Sequence, residues 1–417
     1  RQSIVESITT GNGQVMTIRA AGSFTLVADS SAPSQKLVLA GKTDVHVNTI
    51  RFTTVDEAIQ IKQLTLTYSS STASTTDFAK ATLWDGATKL GEAVWAGGSA
   101  QFATSTLTGS FVIPKDGSKS LDVKVDLASI NTVATTTAGR LLQVGYDGTG
   151  SSSGIGQSSG QTLGSGTAGN ILGNASKIMK SMPTIAKIAV PTTSIPQTNG
   201  ILYRFSVTAD AAGSVSLYKL TFSVSSRSVN ATTSDFRIYG YSDSNFSVNA
   251  YANNPLNVNN VDCVGLSTFE TGDTNCAAID LNPGVSRASS TDVVFFFGPA
   301  TNNASSSEAL VISAGGTRYF ELRGAVTLTG SGTGNSVSVS LLGDAAYLVR
   351  GSAGDFTVGG DPILGTADAA ALDSANNDFV WAPNSTGDSA TTTKDWTNGF
   401  NVPGLPSTSL SANTFTN

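Results

Sequence analysis

The chain has 417 residues, a formal net charge of −6 and a sequence pI near 4.8, with 13% of residues charged, against about 25% in ordinary soluble proteins. Its 24 basic residues are scattered singly, which excludes the clustered Lys and Arg that displace counterions from nucleic acid. No run of 18 apolar residues occurs, so no helical membrane span is expected.

Ser, Thr, Gly and Asn take the place of the missing charges, the look of an extracellular β-protein whose exposed strand faces carry short hydroxyls. Low charge also weakens self-repulsion and makes close packing of many copies electrostatically cheap. The chain opens on Arg1, so removal of an export signal is expected.

Residues 1–33 carry two strand-like pieces, Val15 to Arg19 and Phe24 to Val27, with no partner strand nearby in sequence. A detached strand completes either its own domain or a neighbour's sheet by edge addition. Both routes stay open, and Val15, Ile18, Phe24 and Leu26 are the candidate assembly residues here.

Residues 34–147 and 184–344 contain one β-rich pattern twice. Arg51-Phe52, Leu64-Thr65-Leu66 and Asp77-Phe78 are echoed by Arg204-Phe205, Leu220-Thr221-Phe222 and Asp235-Phe236. The nine residues from Ile113 align without a gap on those from Ile312, placing Gly117 on Gly316 and Lys119 on Arg318. Period-2 alternation marks Leu121, Val123, Val125 and Leu127, and again Val337, Val339 and Leu341, as half-buried strands. The predicted fold is therefore all-β, with two tandem Ig-like antiparallel sandwiches and extensions at both ends. Helical periodicity is nearly absent; Asn174 to Met182 and Ala367 to Ala375 are the two segments that could form short helices.

Between the repeats, residues 148–183 begin with a Gly/Ser-rich tract that composition reads as a flexible connector. The second repeat is longer because Asp77 to Ile113 is 36 positions whereas Asp235 to Ile312 is 77. The insertion holds Cys263 and Cys276, 13 positions apart. A disulfide pinning a surface hairpin fits an extracellular chain and would contribute about 3 kcal/mol in the loop-entropy account; two buried thiols are the other reading. Residues 345–417 form a C-terminal extension.

Motifs for catalysis do not survive their context. Gly164 to Gly169 matches G-x-G-x-x-G without the strand, helix and acidic residue that the fingerprint needs. Gly150 to Gly154 matches G-x-S-x-G, but His46, the single histidine, lies in the alternating run Val45-His46-Val47. No catalytic residue and no organic cofactor is predicted, and the chain reads as a non-enzyme. Structural calcium would take Asp243, Asn245, Asp361 and Asp368 as oxygen donors, although no segment matches the full calcium loop.

The tail adds what patterns do not. Phe379-Val380-Trp381-Ala382-Pro383-Asn384-Ser385-Thr386, then Asp395-Trp396-Thr397-Asn398-Gly399-Phe400 and Val402-Pro403-Gly404-Leu405-Pro406, resemble a recurrent C-terminal motif. It belongs to the secreted S-layer-like surface proteins of the ultrasmall candidate-phyla-radiation bacteria. Asp235 to Asp243 is similar to the sandwich core of the same group. The resemblance implies a cell-surface, self-assembling structural protein and supplies no catalytic residues. Trp396, Phe400 and Leu405 are the assembly candidates in the tail. Expected partners are copies of this chain and, in the rival reading as an adhesin, cell-envelope glycans.

Overall fold

A computed structural model describes residues 21–70, 73–96, 101–130, 139–196, 198–226, 231–252, 254–256, 261–264, 279–281, 290–297, 310–328, 335–347, 376–385 and 397–416. Two compact units divide the chain: Arg1–Ser129 with Gly139–Ile178, and Ile130–Ala138 with Met179–Asn417.

The strands of the first unit begin with β1 (Ser23–Ala28), β2 (Lys36–Leu39), β3 (Val45–Val55), β4 (Ile59–Tyr68), β5 (Phe78–Asp85) and β6 (Thr88–Ala93). They continue with β7 (Phe102–Ile113), β8 (Ser118–Leu127), β9 (Leu141–Leu142), β10 (Val144–Tyr146), β11 (Ser153–Gly156), β12 (Thr162–Gly164), β13 (Ile171–Leu172) and β14 (Ser176–Met179). One sheet has the order β1-β3-β8-β5-β6 and the other β12-β11-β4-β10-β13, with β7 also on β4; β2-β14-β9 form a small third sheet. The strand pairs of defined register, from β1 on β3 to β5 on β8, are antiparallel, and Phe24 of β1 also makes an isolated parallel bridge to Ser165. The two large sheets meet through Phe52 and Phe111, 5.4 Å apart edge-on, and through Tyr68, Phe78 and Trp95. Aromatic pairs of this geometry add to simple area burial.

The second unit starts with β15 (Pro183–Ile188), β16 (Gly200–Ala209), β17 (Val215–Ser226), β18 (Ala231–Tyr241), β19 (Val261–Val264) and β20 (Ile279–Leu281). It is completed by β21 (Ser290–Phe296), β22 (Leu310–Ile312), β23 (Thr317–Leu328), β24 (Ser336–Leu341), β25 (Phe379–Ala382) and β26 (Asn413–Thr416). Its sheets run β15-β16-β23-β18-β20 and β19-β21-β17-β24-β26, with β22 and β25 also on β17. Phe205 and Tyr203 of one sheet pack against Phe222 of the other, at 6.0 Å each.

The chain is all-β, two antiparallel sandwiches in tandem, and the expected alternation holds: Leu121, Val123, Val125, Val337, Val339 and Leu341 are fully buried. The duplicated strands β4 and β17 keep one register. Ile59 faces Ile113 as Val215 faces Ile312, and Leu66 faces Tyr146 as Phe222 faces Leu341. The Arg-Phe echo does not. Phe205 faces Phe320, whereas it is Ile50 that faces Leu121 and Phe52 faces Lys119. The first strand has slid by two residues, a shift that preserves which face is buried because side chains alternate with period 2.

Two expectations are corrected. Residues 148–183 are not a free connector: β11 lies against β4, β12 against β11 and β13 against β10. Their glycines serve close approach: a Cβ on Gly154 would stand 2.7 Å from Ile59 Cγ2, and one on Gly150 would collide with the Thr65 side chain. The helix foreseen over Asn174 to Met182 is instead β14, paired with β9, because tertiary pairing overrides a weak local preference. The other helical segment, Ala367 to Ala375, lies outside the described residues.

Candidate functional site

In β17, Leu220, Phe222 and Val224 point into the sandwich, so Lys219 and Thr221 project from the opposite face. A lysine there would ordinarily reach water. Lys219 is instead 1% exposed, because segments of the C-terminal extension lie over that face. Its ammonium donates to Asn377 Oδ1 at 3.0 Å, and Asn377 is also 1% exposed.

Beside this pair stands Asp344, fully buried, whose carboxylate accepts the N–H groups of Asp378 (2.9 Å), Phe379 (3.3 Å) and Gly399 (2.6 Å). Burial raises its pKa, opposed by those three N–H groups and by the charge of Lys219. Asp378 is pushed up to about 7, first by burial and then by the Asp344 charge, with Lys219 pulling the other way. Asn398 fastens the cover: its Nδ2 donates to Ala346 O and Asn376 O, and its own carbonyl accepts the Trp381 indole N–H at 2.8 Å. Trp381 and Thr397 exchange backbone hydrogen bonds at 2.9 and 2.8 Å. The resembling tail motif thus becomes β25 on β17 plus the lid over Lys219. The result is a buried amine, amide and carboxyl group, with the half-buried Asp378 beside them.

A second cluster lies on the outer face of the sheet containing β16, β18 and β23. Glu321 is fully buried between Arg204 (Nε to Oε2, 2.7 Å) and Arg323 (Nε to Oε1, 2.5 Å). The Arg204 guanidinium lies 4.0 Å from the centre of the Phe246 ring and that of Arg323 lies 4.7 Å from Tyr239. Tyr241 and Tyr319 flank Phe246 at 5.6 and 6.1 Å. Phe246 holds a positive φ of 57°, a conformation that is costly for an aromatic residue.

The turn that presents Phe246 is anchored by Asp243. Its carboxylate accepts N–H from Asn245 (3.2 Å), Ser247 (3.1 Å) and Val248 (2.7 Å), which hold its pKa below the ordinary value, the Val248 bond contributing most. A carboxylate that accepts three backbone N–H groups in this way anchors the turn. At Asp243, one of the calcium candidates with Asn245, the observed role is that of a turn anchor. Asp361 and Asp368 lie outside the described residues, and among the described residues no group of three or more His, Cys, Asp or Glu is placed to hold a metal.

The assembly candidates divide in the same way. Phe24 and Leu26 are 1% and 2% exposed, on β1 paired with β3 of the same chain. Leu405 is 5% exposed, and Phe400 meets Tyr347 edge-on at 4.6 Å. Phe24, Leu26 and Leu405 are spent on the chain's own core and are corrected as contact residues; strand completion by β1 occurs within the chain. Val15, Ile18, Trp396 and Cys276 lie outside the described residues, so the disulfide does too; the Cys263 backbone pairs with Val293 on β21. Ser152, the serine of the G-x-S-x-G match, accepts the Thr65 N–H at 2.9 Å, a structural tie. His46 sits against Thr49 Oγ1 at 2.9 Å on the β3 face, as expected of a strand residue.

Sequence reasoning passed over Lys219. The signal available was a single lysine inside an apolar strand run, with nothing in the spacing to point to an asparagine 158 residues away.

No family model matches this chain, and no curated protein matches it. Among solved structures it is similar to the C-terminal domain of the Streptococcus agalactiae AgI/II polypeptide BspA, at 10% identity over 77% of this chain and 95% of that one, with a TM-score of 0.20. The C-terminal domain of the Streptococcus pyogenes antigen I/II-family protein AspA gives 9% identity, 77% and 95% coverage and a TM-score of 0.17. The Enterococcus faecalis MSCRAMM ACE gives 10%, 76% and 88%, with a TM-score of 0.16. At such TM-scores the likeness carries no argument about fold or function.

Proposed function

We propose that the chain is an extracellular structural protein that assembles with copies of itself into a cell-surface layer or filament. The observation that carries this reading is the way the sandwiches are sealed. Three outer strands give their free edges to irregular segments of the same chain. Gly166 N–H reaches Phe24 O and Thr167 Oγ1 accepts Leu26 N–H on β1; Ile185 N–H of β15 reaches Pro403 O; Thr416 N–H of β26 reaches Thr193 O. A β-protein held at high density beside its copies must avoid uncontrolled edge pairing. With these three edges occupied, contact with copies would fall to the remaining edges and to the low-charge faces. The tail motif, which resembles that of S-layer-like proteins, supports the same reading.

Negative-stain electron microscopy of natively purified protein tests it. Ordered arrays or filaments that disperse only in denaturant are the expected outcome; a monodisperse monomer at high concentration overturns self-assembly. The cluster of Arg204, Arg323, Tyr239 and Phe246 around Glu321 is the feature that a second reading, an adhesin or glycan-binding module, would use. Retention on a glycan array that is lost in Tyr239→Ala would shift the conclusion to it.

A further inference from the structure

We propose that Lys219 and Asn377 react within the folded chain to form an intramolecular isopeptide bond, with Asp378 carrying the protons. The argument begins with placement. A lysine nitrogen 3.0 Å from the side-chain carbonyl oxygen of an asparagine is within the reach at which enclosed groups gain most from proximity. Both residues are 1% exposed, so water does not compete as nucleophile. Burial also disfavours the ammonium form of lysine, and a neutral amine is the nucleophile the step requires.

The step balances without a co-reactant. Lys219 gives a proton to a carboxylate and becomes an amine. Its Nζ lone pair adds to Asn377 Cγ, forming the new C–N bond. The carboxyl group hands a proton to the departing side-chain nitrogen and takes one from the lysine nitrogen. The old C–N bond breaks, ammonia leaves, and an amide joins the two side chains. Nothing is oxidised or reduced.

Of the two acids beside the pair, Asp344 is occupied by three backbone N–H groups and serves to position the segment. Asp378 follows Asn377 directly in the chain, and its carboxyl group interacts with the Lys219 charge and the Thr221 hydroxyl, which places it to give and take a proton. The enclosure forms only when the cover strands β24 and β25 have paired with β17, so the bond follows folding. The inference does not depend on whether the chain assembles.

Intact-mass spectrometry of the reduced, full-length protein reads the outcome. Loss of one ammonia lowers the mass by about 17 Da, and proteolysis followed by tandem mass spectrometry yields one branched peptide containing Lys219 and Asn377. Lys219→Met and Asn377→Ala restore the full sequence mass, and Asp378→Asn leaves most of the protein unreacted. Because a variant can fail to fold, the decisive measurement is on the unaltered chain. Recovery of both residues only in linear peptides, from protein that unfolds cooperatively, overturns the proposal. A mass deficit that maps elsewhere overturns it equally.

Discussion

Replacing Trp381 with alanine asks whether the C-terminal extension is part of the second sandwich or merely lies on it. Trp381 is fully buried on β25, and its indole N–H is donated to Asn398 O at 2.8 Å. Truncating a buried aromatic side chain costs about 3–5 kcal/mol. The Asn398 carbonyl would then lose its donor in a dry place, a further cost of about 1–3 kcal/mol. Partial collapse of the lid offsets some of this, so a loss of about 4–6 kcal/mol is expected, a large fraction of the about 5–15 kcal/mol that holds a domain together. Urea titration followed by far-ultraviolet circular dichroism measures it. Trp84→Ala is the internal control: Trp84 is half-buried beneath Lys124, whose ammonium lies 4.1 Å from the ring centre, and such a contact is worth about 1 kcal/mol. A Trp381→Ala loss below about 1 kcal/mol, or equal losses for the two, would refute the reasoning.

Glu321→Ala leaves Arg204 and Arg323 without their shared, fully buried carboxylate, and removing one member of such a group costs about 3–5 kcal/mol; denaturation midpoints check it, and a neutral substitution contradicts it. Acid stability follows from Glu57, whose carboxylate accepts the N–H groups of Gly22, Ser158 and Ser159 and is lowered to about 2 chiefly by the Gly22 bond. Because the folded value is depressed, the contribution is complete above the ordinary value of 4.5 and disappears as pH falls from there towards 2. Glu57→Gln should flatten that arm of the stability–pH curve, and an unchanged arm counts against the assignment.

The β-strands and the duplication are legible in the sequence because alternation and repeated registers are local or gap-free signals. The two-residue slide between Arg51-Phe52 and Arg204-Phe205 is not, since a slip by two leaves the pattern of buried residues unchanged. The tract from Gly148 misleads for a different reason. Composition counts glycine as freedom, whereas at Gly150 and Gly154 it is what allows strand and loop to touch β4. Phe24 and Leu26 are read correctly as strand residues but not as contacts, because only the paired β3 shows which copy takes them. The enclosure around Lys219 is the least legible part: its members, Lys219, Asp344, Asn377 and Asn398, come from four separate places in the chain and are joined by hydrogen bonds between residues far apart in sequence.

The lateness of β25 sets a timetable. In the second unit β17 runs from Val215 to Ser226, but the strand that completes its Ser216–Leu220 stretch is Phe379–Ala382. Chains are made at about 5–20 residues per second, so that stretch waits on the order of ten seconds for its partner. The first unit, with β4 satisfied by β10 and β11, has its own partners much earlier. During the interval the nascent second half is an open acceptor for any free strand, including one from a neighbouring nascent chain. Completion of this sheet therefore depends on a strand far along the chain, whereas the first unit closes from nearby segments.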